Sequence, residues 1–484
     1  MLFLKNGKFD KEALIKAVAE MDPANRDLYR DRNDISNGRL FADIFKDMAR
    51  FNETAKAWYC YNGVFWQKDP EGMRAEGYAQ ALSKALLIYS AEVGDIEYTK
   101  FVNRLQDRKK RMTMLQDAKC HYCVTSEDFD TDPYLFNCRN GVVNLHTQEF
   151  LEHDPELMLS KVSNVWYEKE AESELFGRFI SEILCEDQEL IQYMQELFGY
   201  ALTGENTQEE CYMCYGETTR NGKSTLLDTM EYLFGDYSMN MQPETLAKQE
   251  RNSRNASGDI ARLAGARLLH MSEPPRRMNF DVALLKQLIG RDLVTARHLH
   301  EAEFEFVPVF KLFINTNYLP LVTDDTVFAS GRVKVIPFNR HFTPEEQDIH
   351  LKKKLKSRAN ISGIFNWILA GLARYLENGE ILEEPDAVKK ATEAYRVKSD
   401  KIQAFISETF IPCSTSGFNT IQGKKVYELY TAWCQQNGYK VENKGNFFDD
   451  LRHKGLLCDQ GTIDGRTIRN VLKGFALPAE EVSF

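Results

Sequence analysis

The sequence contains no apolar run long enough to cross a membrane and no apolar leader. A membrane span needs roughly 18 consecutive apolar, uncharged residues. The best candidate, ANISGIFNWILAGLA, is followed at once by Arg374. At the N-terminus only four residues precede the first charge, at Lys5, too few for the apolar region of a signal peptide. We therefore expect a soluble protein of a cell interior.

Cysteine is scarce, with ten residues in a chain of 484, which is typical of free thiols in a reducing compartment. Two C-x-x-C pairs occur, Cys120 with Cys123 and Cys211 with Cys214. A zinc ribbon built from both pairs is one interpretation, but they lie too far apart in sequence for its compact form. The segment from Cys211 also has the pattern of a buried strand, in which residues three apart point to opposite faces. Small buried apolar side chains are therefore the favoured interpretation.

The chain lacks an excess of positive charge: 61 Lys and Arg stand against 72 Asp and Glu, a net charge of −11. This argues against a protein that coats nucleic acid over its whole surface, but it leaves room for a narrow, locally basic channel. Two basic runs occur, DRKKRM and KKKLKSR. Such runs are usually solvated helix faces, so they carry little weight alone. Internal repeats and low-complexity segments are absent from the sequence.

Residue patterns divide the chain into a helical first part and a later part in which strands and helices alternate. Residues 1–110 are mainly helical in pattern, with one aromatic strand pair that turns at Asn62-Gly63. Short strands and turns are expected over residues 132–167. From residue 211 to residue 338, strand-like and helix-like segments alternate, which indicates an α/β core.

The last 85 or so residues have a pattern of their own. KKVYELYTAWCQQNGY predicts an amphipathic helix, KGNFFDDLRHKGLL a second helix, and CDQGTIDGRTIRNVL a strand–turn–strand. Two helices followed by a hairpin are typical of a winged helix, a module that binds nucleic acid or protein. A structural cap or an oligomerisation domain is the alternative.

The segment CYGETTRNGKST departs from the standard phosphate-binding loop, because it has no second glycine and one residue too many. Five residues separate Gly216 from Gly222, where the standard loop has four. The loop nevertheless joins an apolar strand to a helix, and a helix N-terminus favours an anion. Lys223 would neutralise the β- and γ-phosphates, and Ser224 would ligate Mg²⁺. The expected nucleotide-binding residues are Gly216, Thr218, Thr219, Arg220, Asn221, Gly222, Lys223, Ser224 and Thr225.

Three further side chains follow the loop at the ends or beginnings of strands. Glu273 ends the strand of RLLHMSEPP and suits a base that orients water, because Ser272 replaces the first of the usual two acids. Asn317 ends the strand of VFKLFINTNYLP, where an amide can sense the γ-phosphate. Arg332 begins a strand in ASGRVKVIPF and suits an arginine finger inserted into a neighbouring subunit's site.

In this order, Lys223, Glu273, Asn317 and Arg332 resemble Walker A, Walker B, motif C and the arginine finger of superfamily III helicases. The similarity is to the helicase portion of phage, plasmid and poxvirus primase-helicases. The segment between the second and third motifs resembles the family's additional motif, with Lys286, Gly290, Asp292 and Arg297. Upstream, LFNCRNGVVNLHTQEFLEHDPE and LFGYALTGENTQEE match the segment before the ATPase. The resemblance covers residues 130–345.

The resemblance implies an AAA+ ATPase that uses ATP and Mg²⁺, assembles as a hexameric ring and translocates on single-stranded DNA. Ser224 and Glu273 would lie on the metal side of the site. A β-hairpin before motif C would contact DNA near residues 298–301, with His298, His300 and Lys286 as the candidate contacts. Family members usually have paired arginines at the finger, whereas this chain has Gly331-Arg332, so Arg332 is the one candidate.

The predicted fold is α/β, with a P-loop AAA+ core, a helical and mixed N-terminal region and a C-terminal winged helix. The predicted domains are a mainly helical domain (1–115), a mixed α/β and helical collar (116–200), the ATPase core (201–345), a helical lid or connector (346–398) and the winged-helix-like domain (399–484).

The predicted function is that of an ATP-dependent replicative DNA helicase of a phage or mobile genetic element, in the cytoplasm of a bacterial host. The expected partners are single-stranded and forked DNA, further copies of the chain in a hexamer, and a separate primase or other replication proteins. Two alternatives stay open. One is an ATP-controlled origin-binding protein or helicase loader without processive unwinding. The other is a nucleotide switch in a host–phage conflict system, with no DNA track.

Overall fold

The computed structural model describes residues 3–5, 8–25, 31–247, 258–275, 278, 280–297, 303–320, 328, 330–413, 420–437, 441–463 and 466–477. These residues form a mixed α/β structure whose largest sheet has five parallel strands. Across the same ranges, every helix is too short or too polar to span a bilayer.

In the N-terminal region, helices pack around an antiparallel sheet of order β3-β4-β5. The elements are β1 (Leu4–Lys5), β2 (Lys8–Phe9), α1 (Lys11–Met21), α2 (Asp34–Phe45), β3 (Ala49–Asn52), β4 (Ala57–Tyr61), β5 (Trp66–Asp69), α3 (Met73–Val93), α4 (Ile96–Asn103) and α5 (Arg108–Ala118). Asn62 Oδ1 accepts the backbone N–H groups of Val64 and Phe65 between β4 and β5. The aromatic hairpin is thus confirmed. Strand β3 is not predicted above, because four residues are too few to show alternation.

Short antiparallel strands and then two helices lead to the main sheet. They are β6 (Leu135–Cys138), β7 (Gly141–Asn144), β8 (Phe150–Leu151), α6 (Glu174–Ile183) and α7 (Gln188–Leu202). Each helix begins at a capping side chain: Ser173 accepts the Phe176 N–H, and Asp187 accepts the Leu190 N–H. The short strands predicted over residues 132–167 are confirmed.

The main sheet has the strand order β10-β11-β14-β9-β15, and all neighbouring pairs are parallel. The elements of this part of the chain are β9 (Cys211–Tyr215), α8 (Lys223–Phe234), β10 (Ser238–Met241), α9 (Gly258–Ala261), β11 (Leu268–Met271), α10 (Val282–Ile289), β12 (Val294–Arg297), β13 (Glu303–Phe306), β14 (Lys311–Thr316) and β15 (Val333–Pro337). Strands β12 and β13 form a separate two-stranded sheet. All residues of β11 and β14 are buried, as expected of parallel strands covered on both faces. We call the side of the sheet where these strands end the carboxyl edge, and the opposite side the amino edge.

Beyond the main sheet, helices lead to a C-terminal unit with its own hydrophobic core. The elements are α11 (Leu351–Leu355), α12 (Arg358–Glu377), α13 (Asp386–Ser399), α14 (Lys401–Thr409), β16 (Ile411–Pro412), β17 (Thr420–Gln422), α15 (Gly423–Asn437), α16 (Lys444–His453), β18 (Leu457–Ile463), β19 (Arg466–Lys473) and β20 (Phe475–Ala476). Strands β18 and β19 pair antiparallel after the two helices. The winged-helix assignment and its binding role stay predictions.

Helices α7 and α12 approach each other closely because each presents a glycine at the contact. A Cβ atom on Gly371 would lie 2.1 Å from the backbone oxygen of Gln195. A Cβ atom on Gly199 would lie 2.4 Å from the backbone nitrogen of Leu372. Neither distance is possible between real atoms, so any larger residue would force the two helices apart.

Two buried cations at the amino edge join α7 to the sheet. Arg267 donates to the carbonyl oxygens of Leu202, at 2.6 Å, and Leu135, at 3.0 Å. Lys311 donates to the carbonyl oxygen of Thr203 at 2.7 Å. These carbonyls include the last of α7, where the helix dipole favours a positive charge. Burial lowers the pKa of both side chains from their ordinary values.

Candidate functional site

The loop after β9 approaches its surroundings too closely for any residue except glycine at two positions. A Cβ atom on Gly216 would lie 2.4 Å from Asn221 Nδ2 and 2.6 Å from the carbonyl oxygen of Phe338. Gly222 has φ = 85°, and a Cβ atom there would lie 2.3 Å from Ile183 Cγ2. The two glycines of the predicted loop therefore have steric reasons for their places.

The loop accommodates its extra residue through a backbone conformation that non-glycine residues seldom adopt. Arg220 has φ = 60°, in the left-handed region. Its carbonyl oxygen accepts the Phe342 N–H at 2.9 Å, and the neighbouring Thr219 carbonyl lies 2.8 Å from His341 Nδ1. Asn221 Nδ2 donates to the Thr218 carbonyl at 2.6 Å. The segment after β15 and the loop's own amide thus hold the wider turn.

Lys223, the first residue of α8, lies at the centre of a chain of polar contacts. Only 2% of the residue is exposed. Its Nζ donates to Asn317 Oδ1 at 2.7 Å and lies 3.4 Å from the Gly216 carbonyl oxygen. Asn317 Nδ2 in turn donates to Glu273. Burial lowers the pKa of Lys223 to about 8, against the raising effects of Cys214 and Glu273.

A second amide, Asn315, lies beside this chain of contacts. Its Nδ2 donates to Ser224 Oγ at 3.0 Å. Its Oδ1 is buried and has no hydrogen-bond partner. A buried acceptor without a partner is costly, so this oxygen is available to a further donor or to a cation. Asn315 is absent from the predicted site residues, although an amide near the end of a buried strand is a visible sequence signal.

The oxygen ligands and N–H groups at the carboxyl edge fit a magnesium–triphosphate group. Mg²⁺ prefers oxygen ligands, and Ser224 Oγ, Asn315 Oδ1 and the exposed carboxylate of Glu273 supply them. The first backbone N–H groups of α8 have no partner within the helix, so they suit an anion. Thr225 follows on the same turn, and the neighbouring loop residues Thr218 and Thr219 are exposed.

Arg332 lies at the amino edge, away from Lys223. It immediately precedes β15, whose first residue is in register with Cys211, the first residue of β9. The length of β9, roughly 16 Å, separates this position from the loop. Arg332 Nη2 lies 2.7 Å from Glu209 Oε2, and Nη1 donates to the Lys286 carbonyl at 3.1 Å. Its contact with a phosphate therefore requires a second copy of the chain, and that role stays a prediction.

Strands β12 and β13 pair antiparallel, so the predicted β-hairpin is present. Val294 pairs with Phe306, and Arg297 with Glu303. His298 and His300, the candidate DNA contacts at the tip, lie outside the described residues. Lys286 lies on α10, next to Arg332, and its role in DNA binding stays a prediction.

A separate group of possible metal ligands lies between α8 and β11. Ligand atoms of Asp228, Glu231 and His270 lie within 4.8 Å of one another. Asp228, however, already forms an ion pair with Lys352, and His270 Nδ1 lies 3.4 Å from Glu231 Oε2. These contacts are those of an ordinary buried histidine and a surface ion pair. The cysteine pairs differ in burial: Cys211 and Cys214 are buried in β9, whereas Cys120 and Cys123 are exposed.

Two family models match the chain. Residues 38–185 match the family described as D5 N terminal like, and residues 214–332 match a family of unknown function (DUF5906). The second match contains the loop, Glu273, Asn317 and Arg332.

Viral proteins are among the similar sequences. "Putative helicase L207/L206" of Acanthamoeba polyphaga mimivirus is 28% identical over 64% of this chain and 34% of its own length. "Putative helicase V13" of Sputnik virophage is 25% identical over 72% of this chain and 48% of its own length. The chain thus matches between about a third and a half of these relatives.

A solved structure, the C-terminal region (305–718) of NrS-1, is similar over 91% of this chain and 99% of its own. The sequence identity is 12% and the TM-score is 0.49.

Proposed function

We propose that this chain is an ATP-dependent DNA helicase that acts in replication. Its matches support membership of the viral primase-helicase family. One observation carries the proposal: Lys223, at the start of α8, is linked through Asn317 to Glu273. Glu273 and Asn317 follow the ends of β11 and β14, Lys223 follows the loop after β9, and the three side chains meet where a triphosphate would lie. The helicase and primase names of the relatives support the same role.

In the proposed reaction, these side chains bind phosphate, hold the metal and activate water. A bound Mg²⁺ would neutralise phosphate charge, with Ser224 and the free oxygen of Asn315 on its side of the site. The Lys223 ammonium binds the terminal phosphates. Glu273 orients the attacking water and accepts its proton, and Asn317 positions that water against the γ-phosphate. This division agrees with an AAA+-type ATPase of superfamily III.

Assembly belongs to the same proposal. Because Arg332 lies at the opposite edge of the sheet, it would complete the site of a neighbouring copy. A head-to-tail contact gives a ring when its rotation closes, and the resemblance described above implies a ring of six subunits. In each subunit the β12–β13 hairpin would face a single DNA strand, with His298 and His300 as the predicted contacts. A few contacts per subunit are compatible with the net charge of −11, and binding should weaken with salt.

A second candidate function is an ATP-controlled origin-binding protein or helicase loader. The separate hydrophobic core of the C-terminal unit favours it, because a unit packed around its own core would be able to bind duplex DNA or a protein by itself. Gel shifts with duplex and forked DNA, together with unwinding assays without added helicase, separate the two functions. A bacterial host and a phage source stay predictions, since the relatives named above come from a mimivirus and a virophage.

The proposal is tested with Lys223→Ala on a forked duplex. Loss of the ammonium is expected to lower ATP hydrolysis by about 100-fold or more and to abolish strand separation. Lys100→Ala is the matched control, because Lys100 is an exposed lysine on α4 that pairs only with nearby Glu97 among its described contacts. Unwinding by Lys223→Ala at the rate of the native protein would contradict the proposal.

A further inference from the structure

The carboxylate of Glu209 lies between two arginines of different elements. Its Oε2 is 2.7 Å from Arg332 Nη2, and its Oε1 is 3.7 Å from Arg291 Nε. Each oxygen therefore serves one guanidinium. About a third of the Glu209 side chain is exposed, so solvent screens both pairs only in part.

Arg291 anchors the segment that joins α10 to β12, which we call the root of the β12–β13 hairpin. It lies between the end of α10 and the start of β12. Its Nε donates to the Asn206 carbonyl at 3.0 Å, and its Nη2 donates to the Thr207 carbonyl at 2.9 Å. Asn206 Nδ2 returns two bonds, to the carbonyls of Ile289 at 3.0 Å and Gly290 at 3.1 Å. The segment 206–209 thus holds the hairpin root and Arg332 together.

Arg332 is held in its own copy by contacts with two groups, which use two of its five N–H donors. Its guanidinium is engaged by Glu209 and by the Lys286 carbonyl on α10. Turning towards a triphosphate on another copy would require it to leave one or both. Glu209 would then keep only Arg291, and α10, which leads into the hairpin, would lose a donor.

We propose that Glu209 is a positioning residue that couples the nucleotide state of a neighbouring copy to the hairpin of its own copy. It binds Arg332 when the neighbour's site is empty. When Arg332 turns to the neighbour's phosphates, Glu209 is left with Arg291, and the hairpin root shifts. This inference rests on the proposed function, because it needs both a nucleotide and a DNA-contacting hairpin.

The test compares strand separation per ATP hydrolysed in the full chain carrying Glu209→Gln. This ratio is expected to fall by about fivefold or more, while hydrolysis itself continues. Glu210→Gln is the matched control. Glu210 is the adjacent carboxylate and pairs with Lys334 of β15, and among the described residues no ion pair or hydrogen bond joins it to Arg291. Its ratio is expected to equal that of the native protein.

A second variant removes the other end of the bridge. Arg291 is more than half exposed, so Arg291→Gln should fold even if Glu209→Gln does not. Arg291→Gln is expected to lower strand separation per ATP hydrolysed to the same extent as Glu209→Gln. The double variant should lower it no further, because both changes break the same pair, Glu209 with Arg291.

The outcomes separate the inference from the proposed function. If the native protein neither hydrolyses ATP nor separates strands, the proposed function fails and the inference fails with it. If the native protein is active and Glu209→Gln keeps the native ratio, only the inference is overturned. An equal loss in Glu210→Gln also overturns it, since the effect would then belong to charge at the amino edge in general.

Discussion

At the scale of single residues, Lys223 is a cation held in a buried place by an amide. Its Nζ is 2.7 Å from Asn317 Oδ1. In the proposed complex, a phosphate oxygen would take the place of this amide oxygen. Within the proposal, a nucleotide entering the loop competes with Asn317 for the ammonium. Asn317, once released, keeps its bond to Glu273, and the two can act together on water.

Nucleotide affinity is expected to depend on pH through Lys223. Its pKa of about 8 lies below the ordinary value of 10.5, so the unfolded chain binds more protons between these values. This residue's contribution to folding stability therefore rises with pH from about 8 to 10.5. Phosphate binding needs the charged form, so affinity for an ATP analogue should be constant below about pH 8 and weaken by about tenfold per unit well above it.

Titration calorimetry from pH 7 to 9.5 measures this dependence. Lys223→Arg is the control, since a guanidinium stays charged throughout the range and should give a flat profile. A native profile that is equally flat up to pH 9.5 would mean that the ammonium is not buried as described.

Part of this residue-scale picture can be predicted from the sequence. Lys223, Glu273 and Asn317 each follow an apolar strand, and the carboxyl ends of parallel strands meet at one edge. The roles of Asn315 and Glu209 cannot be predicted in this way. Both depend on partners 91 and 123 residues away along the chain, which only the folded structure brings near.

At the scale of elements, the contact between α7 and α12 depends on two glycines. Helices normally pack with side chains between them, 8–10 Å apart. Here Gly199 and Gly371 remove those side chains and let the backbones approach each other. Because α7 leads into the segment that holds Arg332 and the hairpin root, this contact also fixes the amino edge.

Gly371→Ala is expected to destabilise the protein by about 1–3 kcal/mol, since its Cβ would overlap the backbone of Gln195. Gly177→Ala in α6 is the matched control, because nothing lies within 4 Å of its added Cβ. That change should be neutral or stabilising by up to about 1 kcal/mol through helix propensity. Urea unfolding of both variants measures the difference, and equal stability of the two would contradict this account of the packing.

Element boundaries can be predicted from the sequence where the apolar pattern is long. The strand predicted in RLLHMSEPP is found at Leu268–Met271, two residues before Glu273, and α8 ends at Phe234, immediately before Gly235. Strand β3 and the close contact of α7 with α12 cannot be predicted in this way. The first is too short to show a period, and a glycine in a helix looks the same whether it faces solvent or another helix.

At the scale of the whole molecule, the chain has two halves of one proposed site at opposite edges of its sheet. Lys223 lies at the carboxyl edge and Arg332 at the amino edge. A single copy therefore cannot close the site on itself. Within the proposal, activity is a property of the contact between copies.

Subunit mixing tests this arrangement. Lys223→Ala and Arg332→Ala are each expected to be inactive in ATP hydrolysis. In an equal mixture, a copy with an intact loop can receive Arg332 from its neighbour. About a quarter of randomly formed head-to-tail contacts would be intact, so hydrolysis should return to a comparable fraction of the native rate.

Native particles without substitutions provide the reference rate, and particle images confirm that mixed assemblies form. Full hydrolysis by Arg332→Ala alone would show that the arginine takes no part in the reaction. A mixture that assembles but stays inactive would likewise contradict a site shared between copies.

The buried guanidinium of Arg267 and the ammonium of Lys311 have a practical consequence for the design of a shorter fragment that contains the main sheet. Both depend on oxygens supplied from before residue 204. A truncation beginning at β9 would remove those acceptors and leave two buried side chains without them. The parallel sheet should therefore be expressed together with the helices and strands that precede it, and a clean excision at that point would yield aggregates.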